Sequence, residues 1–270
     1  MREPSPSPIQ LEIFDSAGKL VRRFASDDKL YQTNPNSVPM TMNWVRDPQP
    51  LRNETGMHRF LWDLHYGLPA GVLRSRYFSA GPLVEPGKYL VKFTANGQSV
   101  TQPLTATMNP DSKTTPEALQ RQYVLASRLS KRLGEVSIAL QQAKELKKQI
   151  AERKKEAAGA PELLAVLEDL NQETDVAVEP DSDDDFMLFG LALPDSNHEP
   201  LPRLQTALTG LLIIEQSADV SPTTDVTVAA EKWDASSAEA LARWKKELDR
   251  DFSAVNSKLQ KANLKPLVLE

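Results

Sequence analysis

Thr114-Thr115-Pro116-Glu117-Ala118-Leu119 opens a stretch in which Leu119, Tyr123, Ala126, Leu129, Leu133, Val136, Leu140, Ala143, Leu146 and Ile150 follow one another at steps of three and four residues. Helical side chains return to the same face at that period, so the stretch reads as one long amphipathic helix. A Thr cap, a Pro in the first turn and a Glu behind it write its start, and Gly159-Ala160-Pro161 writes its end. Roughly forty helical residues at about 1.5 Å each make a rod near ~60 Å long. Its apolar stripe lies close to a heptad seam and needs partner helices. Candidates lie at 161 to about 171, about 202 to 218 and about 229 to 263, the last carrying Leu241, Trp244, Leu248, Phe252, Val255 and Leu259 on one face. The expected pairing sets the long first helix antiparallel to the long last one.

Upstream of this helix the chain obeys another rule. Of the 20 prolines 13, of the 11 glycines 7 and of the 17 aromatics 11 lie at or before Pro116, which marks a domain boundary. Gln10-Leu11-Glu12-Ile13-Phe14 leads through Asp15-Ser16-Ala17-Gly18 into Lys19-Leu20-Val21-Arg22-Arg23-Phe24, the pattern of a hairpin. In His58-Arg59-Phe60-Leu61-Trp62-Asp63-Leu64 the alternation predicts a strand with Phe60, Trp62 and Leu64 on its core face. Gly87-Lys88-Tyr89-Leu90-Val91-Lys92-Phe93 reaches a turn at Asn96-Gly97 before residues 99–107 run back. Short antiparallel strands of this kind imply a sandwich. The fold class is therefore α+β in two domains: an antiparallel β-sandwich over 1–111 and an all-α, antiparallel long-helix bundle over 112–270, with a long loop around 176–202.

Composition narrows the chemistry. Lys and Arg number 32 against 37 Asp and Glu, a net charge of −5, which gives no overall positive surplus for a phosphate backbone and makes nucleic acid an unlooked-for partner. The absence of Cys excludes disulfides, thiolate zinc sites and cysteine nucleophiles. Met1-Arg2-Glu3-Pro4-Ser5-Pro6-Ser7-Pro8 is polar and proline-rich, without the apolar core of a signal peptide, and no stretch is expected to span a membrane.

Candidate sites are few. His58, His65 and His198 are too scattered for a metal cluster, and none of the HExxH, GxSxG, P-loop or GxGxxG patterns occurs. His198-Glu199 looks like half of a zinc-protease helix, but Pro200 and Pro202 break the helix a second His would need. Asp181-Ser182-Asp183-Asp184-Asp185 lacks the Gly and Glu that a calcium loop requires and reads as a solvated acidic loop. Trp62 and Tyr66 with Asp63 have the residue types for stacking on a sugar, yet the alternation places Trp62 in the core. Arg74, Arg76 and Tyr77, in the loop-like stretch 69–82, are the exposed candidates for contacting a partner. The charge runs 144–148 and 152–156 form the wet side of a helix. The expected sets of catalytic, cofactor-binding and metal-binding residues are empty.

The stretch Leu11-Glu12-Ile13-Phe14-Asp15-Ser16-Ala17-Gly18-Lys19-Leu20-Val21-Arg22-Arg23-Phe24 resembles the opening hairpin of immunoglobulin-like domains of the flagellar-hook-cap type. Gly56-Met57-His58-Arg59-Phe60-Leu61-Trp62-Asp63-Leu64-His65-Tyr66, Gly81-Pro82-Leu83-Val84-Glu85-Pro86-Gly87-Lys88-Tyr89, and the run from Gln102-Pro103-Leu104 to Asn109-Pro110-Asp111 are similar to the region after the β-propeller in large bacterial sortilin-like, BNR-repeat proteins of glycosyl-hydrolase type. Ser217-Ala218-Asp219-Val220-Ser221-Pro222-Thr223 and the helices fit the same tail. The resemblance implies that the sandwich is Ig-like, that the propeller and any sugar chemistry lie elsewhere, and that the location is extracellular or periplasmic. It also implies a missing first strand, hence a truncated chain, an open edge at or beside residues 11–14, and self-association through that edge or the long helices. The function so implied is a non-catalytic accessory module that packs on or spaces a β-propeller or another protein. The alternative is a carbohydrate-binding accessory domain of a glycosidase, which needs a solvent-exposed row of aromatics.

Overall fold

The computed structural model describes residues 5–29, 32, 34, 41, 49–74, 79–178, 193–194 and 198–269. Its class is α+β, with a four-stranded antiparallel sheet followed by four helices. Two compact units divide the chain: 1–68, 73–123 and 219–221 form the first, and 69–72, 124–218 and 222–270 the second.

In the first unit the strands are β1 (Gln10–Phe14), β2 (Leu20–Ala25), β3 (Gly87–Ala95) and β4 (Gln98–Ala106), ordered β2-β1-β3-β4. Asp15 makes the first turn. Its Oδ1 accepts the N–H groups of Ala17 and Lys19 at 2.9 Å each, and Gly18 takes φ 79°, so the chain reverses without straining a side chain. At the second turn Asn96 (φ 53°) and Gly97 (φ 74°) supply the two left-handed residues whose twist matches the flanking strands. Both hairpins follow the sequence expectation.

Ile13, Val21, Val84 and Tyr89 are the buried centre, with Leu11, Phe24, Trp62, Tyr66, Val91 and Ala106 packed around them. The opposite face is wet, carrying Glu12 and Lys92, paired at 3.0 Å, and the bonded hydroxyls of Thr94 and Ser99.

One expectation is corrected here. Among the described residues the strand expected at 58–64 joins no ladder: Phe60 and Trp62 turn toward the core, but Leu64 takes φ 58° and is 39% exposed. The Asp63 carboxylate accepts the His65 N–H at 3.2 Å and bends the chain, and among the described residues a single isolated bridge pairs His65 with Leu83, which lies between Pro82 and Pro86. Among the described residues this irregular segment, and not a second sheet, covers the apolar face. The edge expected at or beside residues 11–14 falls beside them: β1 bonds β2 on one side and β3 on the other, so β2 is the strand at the edge. The edges are β2, where Ala25 and Val21 carbonyls accept from Leu51 and Gly67 at 3.3 and 3.2 Å, and β4. Among the described residues no strand pairs with the outer side of β4, which is exposed nearly throughout and carries Pro103, a residue without an N–H to offer a further strand.

The helices are α1 (Pro116–Glu156), α2 (Pro161–Ala177), α3 (Leu201–Glu215) and α4 (Thr224–Lys261). In the second unit the α1 stripe is buried as expected, with Leu129, Leu133, Val136, Ala143, Leu146 and Ile150 fully out of solvent. α4 begins earlier than its apolar run suggests because the Thr223 hydroxyl caps it, accepting the Val226 N–H at 3.3 Å.

The expected antiparallel pairing of α1 with α4 is wrong in direction. Arg132 donates to Asp234 at 2.7 Å, residues 135–142 share a groove with 241–252, and Gln149 bonds Val268, in the tail that Asn256 ties back to α4. Positions rise together on both helices, so they run parallel. The antiparallel partners of α1 are α2, through Lys154 with Glu168 and Lys147 with Asp175, and α3, since Gln205 bonds Ser137 while Ser221, beyond the end of α3, bonds Arg121 near the start of α1. α2 and α3 together are an interrupted return leg, which leaves α4 to run the same way as α1.

Candidate interaction site

The site grows from one feature of β2. Alternation sends Phe24 inward, and it sends Arg22 the same way, leaving that arginine only 9% exposed. The guanidinium is accommodated by donating from Nη1 to the Tyr66 carbonyl at 2.5 Å and by lying 5.2 Å from the centre of the Phe24 ring. Burial lowers the Arg22 pKa, Asp63 opposes that shift, and the field of Arg74 adds to it. Phe60 packs edge-on against Phe24 at 4.6 Å, and Leu61 after it turns to solvent.

Around this pair lie two adjoining clefts. One, of about 520 Å³, is walled by Arg22, Arg23, Lys29 and Arg74 with Asp28 and Asp63. The other, of about 860 Å³, is walled by Ile9, Leu11, Leu51, Met57 and Phe93 with Arg52 and Arg59. Gln49, Pro50, Phe60 and Leu61 belong to both. Met57 is 100% and Leu61 73% exposed. Large apolar side chains held in water among arginines are what a protein-contact surface displays.

Of the three expected contact residues, Arg74 stands in the wall of the first cleft, while Arg76 and Tyr77 lie outside the described residues. The acidic run 181–185 also lies outside them. Trp62 is half-buried, packs edge-on against Tyr89 at 5.7 Å and donates its indole N–H to the His65 carbonyl at 3.0 Å. Tyr66 receives the Tyr123 hydroxyl at 2.9 Å. These rings are held by one another, and no aromatic side chain among the described residues is fully exposed.

Burial pushes the Tyr89 phenol up to about 12 and raises that of Tyr66 further, so both stay protonated at neutral pH and are poor nucleophiles. The ring nitrogens of His58 and His65 bond the carbonyls of Glu54 and Asp63, and among the described residues no group of three or more His, Asp or Glu gathers as a metal site. Sequence reasoning missed Arg22, Met57, Arg59 and Leu61 as site residues. The signals for Arg22 and Leu61 were present in the alternation, which turns Leu61 outward between Phe60 and Trp62; Met57 lies before the alternating run and has no such signal.

No family model, no curated protein and no solved structure matches the chain.

Proposed function

We propose that the chain is a non-catalytic interaction module which binds another protein through the surface around Phe60 and Leu61. The observation that carries this reading is the exposure of Met57 and Leu61 beside Arg52, Arg59 and Arg74. Such a surface costs solubility unless a partner covers it. In this reading the sheet, with the segment around Trp62 and Tyr66 packed over it, corresponds to the Ig-like domain, the helices form a bundle that spaces it, and the partner is the β-propeller of a secreted, sortilin-like BNR-repeat protein, as the sequence resemblance implies.

The carbohydrate-binding alternative draws less support, because Trp62, Tyr66 and Tyr89 spend their faces on one another and on the core. The test is calorimetric titration of the purified chain with such a propeller, together with turnover assays on sialosides and other aryl glycosides. Binding that Leu61→Asp abolishes without lowering the melting temperature, and no turnover, are expected. Absence of binding, or hydrolysis that a single carboxylate substitution removes, would contradict the proposal.

A further inference from the structure

We infer that the paired clefts take an acidic polypeptide segment, one that sets carboxylates against the arginines and a large apolar side chain beside Met57 and Leu61. The inference rests on the interaction-module reading and gives its docking face a chemistry.

Charge is the first argument. The chain as a whole carries −5, yet the two clefts hold six cationic side chains, Arg22, Arg23, Lys29, Arg52, Arg59 and Arg74, against Asp28 and Asp63. Setting Arg23 against Asp28, which pairs with it at 3.3 Å, and the buried Arg22 against Asp63, whose field acts on it, still leaves the charges of Lys29, Arg52, Arg59 and Arg74 in excess. The local field is therefore positive on an acidic molecule, which draws an anionic partner to this face.

Ligand type is the second. All but one of those cations are arginines, whose planar fork pairs two-pronged with carboxylates and sheds water more readily than an ammonium does. The positive surface also does not stand alone. It runs into the exposed apolar pair Met57 and Leu61, which share a cleft with Phe60, itself set edge-on to Phe24. A phosphate backbone would leave that apolar half without a partner, whereas a peptide supplies both kinds of side chain within a few residues.

The experiment titrates the full chain with a labelled synthetic peptide bearing aspartates followed by a phenylalanine, with the same peptide carrying lysines for aspartates, and with a single-stranded oligonucleotide. The acidic peptide is expected to bind and the other two not, with affinity falling as salt rises. Arg59→Glu and Leu61→Ser, both at exposed positions, should each weaken binding by about tenfold or more while the melting temperature holds. Equal binding of the lysine peptide or the oligonucleotide, or acidic-peptide binding that Arg59→Glu leaves unchanged, would overturn the inference. If a propeller binds through Leu61 and the acidic peptide does not, the inference falls and the module reading stands. If neither binds, both fall.

Discussion

Replacing Trp62 by Ala separates a structural ring from a ligand-binding one. The indole closes the apolar face of the sheet over Ile13, Val21, Val84 and Tyr89, meets the Tyr89 ring edge-on and bonds the His65 carbonyl. A fully buried aromatic costs about 3–5 kcal/mol on truncation to Ala. Trp62 is half-buried, so part of that is not lost, while the edge-on contact (about 0.5–1.5 kcal/mol) and the hydrogen bond (about 1 kcal/mol) are. A net loss of about 2–4 kcal/mol follows, and at roughly 4–8 °C per kcal/mol for a domain of this size the sheet unit should melt at least ~8 °C lower. Trp62→Phe keeps the ring stacking and forfeits the hydrogen bond, so it should cost only about 1 kcal/mol. Differential scanning calorimetry of the three proteins reads these steps. An Ala variant with an unchanged transition and a lost glycan affinity would refute the reasoning and make Trp62 a sugar platform.

The remaining predictions concern the helical unit. Burial pushes the Glu215 carboxyl up from 4.5 to about 7. Because the folded pKa lies above the unfolded one, the cost of the charged form is absent below the ordinary carboxylate range, grows as pH rises and is complete above about 7, at roughly 3 kcal/mol. Glu215→Gln should therefore raise the melting temperature at about pH 8 and leave it unchanged at about pH 4; equal shifts at both would contradict the burial account. The parallel course of α1 and α4 is open to direct measurement, since the chain has no Cys to interfere with labelling. Spin labels at 132 and 234 should lie close together, and labels at 132 and 259 about 40 Å apart from the helical rise over the intervening turns; the reverse order would restore the antiparallel pairing.

What could be read in the sequence depended on whether a pattern carries direction and surroundings. The three-and-four spacing through Leu129, Leu133 and Val136 decided the long helix because one buried face is all that period encodes. Asn96-Gly97 and Asp15 decided the hairpins because few residues make those turns. The sense of α4 was not legible: an apolar stripe looks alike from both ends, and the contact of Arg132 with Asp234 joins residues with no sequence signature. Residues 58–64 misled because alternation records which side chains turn inward, and Phe60 and Trp62 do so from an irregular chain bent at Asp63. Of the contact site only Arg74 was foreseen within the described residues. The outward turn of Leu61 follows from the same alternation, whereas the exposure of Met57, ahead of that run, is not registered by periodicity.

If a partner docks on the surface around Phe60 and Leu61, as we propose, hydrogen exchange of the chain alone and in complex with a sortilin-like β-propeller will show it. Slowed exchange at 57–61 and 22–24, with the exposed strand β4 and helix α4 unchanged, is the predicted footprint. Protection confined to β4 or to the helices, with 57–61 exchanging as in the free chain, would contradict the claim.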